Sequence, residues 1–156
     1  MKMKKILLTI LMLFLLYSSA FAVGAVTFTI DQIEPANQPR RVIITLSWTA
    51  DAIAATVPST TIQGALIKGF YLYSAETNPG NAVAPTDNYD IVINDADGLD
   101  IAGSLLLNRD TANTEIINIG TSGHGYPIVR GDLTFVLSNN AVNSATGTCI
   151  LVFVAN

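Results

Sequence analysis

Tyr89-Asp90-Ile91-Val92-Ile93-Asn94-Asp95-Ala96-Asp97-Gly98-Leu99-Asp100-Ile101 is the stretch from which the fold can be read. Its opening alternates: Tyr89, Ile91 and Ile93 project to one side of an extended chain, and Asp90 and Val92 to the other. Asp95-Ala96-Asp97-Gly98 interrupts the alternation with turn chemistry. Gly98 can take a positive φ without a Cβ clash, and the Asp carboxylates can accept nearby backbone N–H groups. Leu99-Asp100-Ile101 resumes the alternation. The stretch predicts a β-hairpin with an Asp-Gly turn, and the rest of the chain can be laid around it as strands.

Upstream, Val26–Ile30 alternates as a first strand. Glu34 to Pro39 is a turn with Pro near both ends, and Arg41–Thr49 is a long strand with Val42, Ile44, Leu46 and Trp48 on one face. Trp48 is expected in the core. Ala50 to Ile62 reads as a short helix or an extended connection, with Pro58 against a long helix. Ala65–Ala75 carries bulk on both faces and is expected as a central strand. Glu76 to Asn88 holds Asn78-Pro79-Gly80 and Ala84-Pro85 and is expected as a long surface loop. Downstream, Thr114–Ile119, Leu133–Leu137 and Thr148–Val154 read as strands, with a Gly-rich loop at Gly120–Tyr126. No repeat of 20–50 residues is present. Short strands with Gly, Pro and Asn turns predict an all-β protein, an antiparallel β-sandwich of Greek-key or jelly-roll type.

The N-terminus has the three regions of a signal peptide: basic Met1–Lys5, apolar Ile6–Leu16 and a small-residue Ala20-Phe21-Ala22 site. The apolar run is short for a membrane span, which needs about 20 residues. The expected organisation is a helical signal peptide over 1–22 and a single sandwich domain over 23–156, exported to the periplasm or beyond, with no stable membrane span. Loss of Lys2, Lys4 and Lys5 leaves five cations against 12 carboxylates. That balance, with the cations scattered, argues against nucleic acid as a partner. The one cysteine, Cys149, excludes an internal disulfide, and its apolar surroundings predict a buried thiol.

Asp95, Asp97 and Asp100 are the candidate metal residues, because clustered carboxylates suit calcium. The EF-hand template fails at both ends. Ile93 would hold its first position and Ser104 its twelfth, so a hairpin turn is the expected role. His124 with Ser122 or Ser104 and Asp132 contains the residue types of a catalytic triad but no nucleophile-elbow motif, and no catalytic residue is assigned. Tyr71, Tyr73, Tyr89 and Tyr126 with Trp48 could line a sugar-binding face. Their alternation assigns them instead to core or inter-sheet packing.

From Phe70 onward the chain resembles a loose family of small β-rich proteins in tailed-phage genomes and viral metagenomes. The resemblance is carried by Gly69-Phe70-Tyr71-Leu72-Tyr73, Pro85 to Asp90, Asp95 to Asp100, Asn108 to Asp110, Gly131 to Thr134 and Gly147 to Leu151. It implies a virion-associated structural role and transfers no catalytic residue and no cofactor. Virion proteins assemble in the cytoplasm, whereas the leader points to export; the protein is expected in the virion if the N-terminal segment is not a functional signal, but its three regions stand in order, which favours export. Function is therefore expected to be that of a non-enzymatic structural or interaction module, with an exported ligand- or glycan-binding module as the alternative. Thr148–Val154 is apolar on both faces, so one face should meet another subunit, a loop or a neighbouring sheet. A homo-oligomer or assembly partner is expected there.

Overall fold

A computed structural model describes residues 22–34, 36, 38–121 and 128–155. Residues 1–21 of the expected signal peptide, His124, Ser122 and Tyr126 lie outside the described residues. Among the described residues eight strands form two sheets: β1 (Ala25–Ile33), β2 (Arg41–Thr49), β3 (Thr60–Ile62), β4 (Tyr71–Pro79), β5 (Asp90–Asn94), β6 (Glu115–Asn118), β7 (Leu133–Ser138) and β8 (Thr146–Val154). One sheet runs β1-β2-β8-β4-β6, the other β3-β7-β5, and every pairing is antiparallel. From β2 onward each connection crosses between the sheets. That alternation is the winding of a jelly roll. Among the described residues no helix is long and apolar enough to cross a membrane.

β2 forms over the residues its alternation marks, and Val42, Ile44, Leu46 and Trp48 all enter the core. β8 runs between β2 and β4 and contributes Cys149, Leu151 and Phe153 to the same layer. Opposite them lie Ile62, Ile91, Ile93, Leu133, Phe135 and Leu137 of the smaller sheet. At about 1.5–3 kcal/mol for each large apolar side chain buried, this layer is the principal source of stability.

Three expectations are corrected. The return arm of the Asp-Gly hairpin is not a strand. Asn94 bridges Asp100 and Tyr89 bridges Arg109, but the chain between them makes turns. The reason is Asp100: its carboxylate accepts N–H bonds from Ala102 (3.0 Å) and Ser104 (2.7 Å), which curl the chain away from the extended form. The strand expected over Ala65–Ala75 starts only at Tyr71. Gly64–Leu66 is a 3-10 turn, and Gly69 sits at φ +87°, a conformation that favours glycine. The strand also runs on through Asn78 and Pro79, which the sequence places in a loop. Ala50–Ile62 takes the extended one of its two expected forms and ends in the short strand β3.

A bulge between Leu72 and Ser74 adds one residue to β4 opposite β8. It reverses the parity of the strand, so Leu72 and Ala75 both face the core while Tyr73 stays outside, 45% exposed. Tyr71 is also half-exposed, in register with Val154, which lies on the outer side of β8. These two tyrosines depart from the expected core packing; Trp48 and Tyr89 follow it.

Candidate functional site

The outer face of the five-stranded sheet carries the surface features most suited to recognition, and strand register sets its chemistry. Thr27, Ser47, Thr148 and Asn78 stand opposite one another across β1, β2, β8 and β4. The next row is Thr29, Thr45, Ile150 and Glu76, then Asp31, Ile43, Val152 and Ser74. The face therefore grades from hydroxyl and carboxamide groups at one end to aliphatic groups at the other.

At the polar end is a shallow groove of about 410 Å³, lined by Thr27, Ser47, Thr49, Asn78, Thr146 and Thr148 among others. Its middle is Gly147, beneath which lies the indole of Trp48. A Cβ on Gly147 would come within 2.5 Å of Trp48 Cζ2. At the apolar end is a hollow of about 440 Å³ formed by Arg41, Ile43, Tyr73, Ser74, Val152 and Val154. Ile116 adds an exposed aliphatic side chain on neighbouring β6.

Beneath the polar groove the core holds polar atoms. Trp48 and Tyr89 meet with ring centroids 5.9 Å apart, tilted by 54°. Trp48 Nε1, Thr77 Oγ1 and Tyr89 OH are buried, and none completes a hydrogen bond of normal geometry, although Tyr89 and Thr77 approach one another. Burial pushes the Tyr89 phenol up to about 12, with the nearby Cys149 adding to the rise. Burial likewise pushes the Cys149 thiol up to about 12, so the thiolate needed for nucleophilic chemistry is disfavoured.

Two of the three acidic candidates, Asp95 and Asp100, are committed to the backbone. Asp95 Oδ1 accepts the N–H groups of Asp97 (3.0 Å) and Leu99 (2.9 Å), closing the turn that Gly98 permits at φ +82°. Asp100 binds the turn that follows, and Asp97 is exposed at the tip. Asp90 accepts the Asn108 N–H at 2.8 Å and an Asn139 side-chain N–H, tying the hairpin segment to the loop after β7. Among the described residues no three His, Cys, Asp or Glu side chains are grouped to hold a metal ion. Of the triad residue types, Asp132 accepts the Gly64 N–H at 2.6 Å, and Ser104 sits in the turn that Asp100 organises.

The hydroxyl groove is not legible in the linear sequence. Thr27 and Thr148 are neighbours only through β2, and no local motif announces them. No protein-family model, curated protein or solved structure matches the chain.

Proposed function

We propose that the protein is a non-enzymatic structural module, phage-encoded and exported, that acts by associating with other protein subunits, most simply with copies of itself. The observation that carries this reading is the aliphatic end of the outer sheet face. Ile43, Ile150, Val152 and Val154 are only half-covered, and Ile43, Val152 and Val154 line a hollow flanked by Tyr73 and Arg41. Contiguous apolar surface rimmed by polar groups is the usual mark of a protein contact. The phage origin rests on the motifs from Phe70 onward, and export on the order of the three leader regions. Jelly rolls also build capsid domains, an analogy of architecture that agrees with the reading without naming a partner.

The test is sedimentation at micromolar concentration of the protein recovered after expression from its full-length sequence. Self-association that Val152→Asp weakens, with the thermal midpoint within a few degrees of the parent, supports the outer face as a contact. A monomer at every concentration, with no co-purifying subunit, defeats the reading.

A second reading is favoured by the groove. Hydroxyl and carboxamide side chains on a shallow surface suit a polyhydroxylated ligand such as a surface glycan. Glycan-array binding that is lost in Asn78→Ala would move the function to that class.

A further inference from the structure

The sandwich has four outer strand edges, and three are guarded. β3 is three residues long. β6 is four residues long and begins with Glu115, whose carboxylate lies 3.3 Å from Arg109. The outer side of β5 is covered by the segment 100–109. There Ile101 donates to the Ile93 carbonyl (2.9 Å), Ile91 to the Leu106 carbonyl (3.0 Å) and Arg109 to the Tyr89 carbonyl (2.7 Å). Short strands, charge and a covering segment are the ways natural sheets avoid edge-to-edge pairing.

Among the described residues no further strand or covering segment hydrogen-bonds the outer side of β1, and its one charge, Asp31, stands near its end. The strand is nine residues long, Ala-Val-Thr-Phe-Thr-Ile-Asp-Gln-Ile, with no Pro, no Lys and no bulge. It pairs with β2 on one side and ends the sheet on the other. Its inward residues Val26, Phe28 and Ile30 are only partly buried, because the smaller sheet has three strands to the larger sheet's five. The strand thus offers a row of backbone donors and acceptors together with a half-covered apolar flank.

We infer that a second copy of the chain adds at this edge, β1 against β1, fusing the two large sheets into one. This deepens the assembly reading above and rests on it. The sequence of the strand is compatible with antiparallel self-pairing. Pairing about Phe28 sets Val26 opposite Ile30 and Thr27 opposite Thr29. Pairing about Thr29 sets Phe28 opposite Ile30 and Thr27 opposite Asp31. Asp31 is the strand's only charge, and neither arrangement sets it against its counterpart. The Phe28 flanks of the two copies then cover each other. The contact is one strand deep, at the low end of interface size, below about 1,200 Å², so the dimer forms reversibly at micromolar to higher concentration.

The experiment uses the protein expressed from its full-length sequence and Thr27→Asp/Thr29→Asp. Both substitutions lie on the exposed outer side of β1 and leave the core untouched. In the pairing about Phe28 the introduced carboxylates of the two copies face each other; in the pairing about Thr29 they face each other and Asp31. The expected result is a concentration-dependent dimer whose dissociation constant rises at least tenfold in the double variant, while Val152→Asp still dimerises through β1. Hydrogen exchange supplies a measurement that needs no variant: amides within 25–33 gain protection as concentration rises, and those of 115–118 do not. Unchanged association in the double variant, with its loss in Val152→Asp, overturns the edge pairing and leaves the assembly reading standing. A monomer by both sedimentation and exchange overturns both.

Discussion

Gly147→Ala tests the packing between the polar groove and the core. Gly147 lies in the middle strand of the large sheet, opposite Trp48 of β2 and Pro79 of β4. A Cβ there would sit 2.5 Å from Trp48 Cζ2, 2.8 Å from Cε2 and 3.0 Å from the Asn78 carbonyl oxygen. Ordinary carbon contacts begin near 3.4 Å, so something must move by nearly an ångström. The indole has little room to move, being 2% exposed and held against Tyr89. Overpacking of this kind costs about 1–3 kcal/mol. The loss of glycine's freedom in the unfolded chain offsets about 0.4–1 kcal/mol of that. The net expectation is a destabilisation of about 1–2 kcal/mol, or a thermal midpoint lower by roughly 2–8 °C for a domain of this size.

The assay is thermal unfolding of the parent, Gly147→Ala, Trp48→Phe and the double variant. Trp48→Phe is destabilising by itself because it opens space in the core, but it also removes the ring edge that the new methyl group strikes. Gly147→Ala should therefore cost less in the Trp48→Phe background than in the parent, with a coupling of at least about 0.5 kcal/mol. A Gly147→Ala protein as stable as the parent, or one equally impaired in both backgrounds, would refute the placement of Trp48 beneath the strand.

Two further outcomes follow from the titratable groups. Tyr89 and Cys149 are raised from 10.0 and 9.0 to about 12, so in the folded state both hold their protons above the pH at which the unfolded chain releases them. Their contribution is complete below about pH 9 and is lost as pH rises to 12. Alkaline unfolding should thus begin above about pH 9 and shift upward in Cys149→Ala relative to that variant's own neutral-pH stability, read by circular dichroism; an unshifted profile counts against burial as the cause. Asp95→Ala removes the acceptor of two turn N–H groups and should lower stability by about 1 kcal/mol, with millimolar calcium leaving the parent's midpoint unmoved. A calcium-induced rise in the parent that Asp95→Ala abolishes would assign the acidic turn to metal binding.

What can be read from the chain is local. β2 is legible because four large apolar residues recur at every second position between Pro39 and Ala50. The Asp-Gly turn is legible because Gly98 and Asp95 supply its geometry within five residues. The return arm is not, because period two cannot distinguish a strand from a segment whose Asp100 carboxylate gathers the N–H groups following it. The bounds of β4 are obscured because its bulge breaks the period, so residues on either side of Tyr73 belong to opposite phases of the alternation. β3 is too short to show a period at all. The polar end of the outer face is not legible as a site, since its rows join residues about 100 positions apart through register alone, whereas the apolar end is marked by the two-faced apolar pattern of Thr148–Val154.

The unequal size of the two sheets connects these features. In a jelly roll with matched sheets, every strand of one layer is covered by the other, and alternation in sequence reports burial directly. Here segment 100–109 lies beside β5 where a further strand of the smaller sheet would run, and its turns keep that layer narrow. β1 meanwhile extends the larger sheet on the opposite side. Val26, Phe28 and Ile30 consequently carry a core-type pattern at a place where the facing sheet does not fully reach. These side chains pack against the rim of the core, and the part of each that the smaller sheet leaves bare is the surface that a second copy would cover in the proposed pairing. The same reasoning separates β1 from β8, whose outer Ile150, Val152 and Val154 lie over a strand already paired on both edges and can be covered only from above.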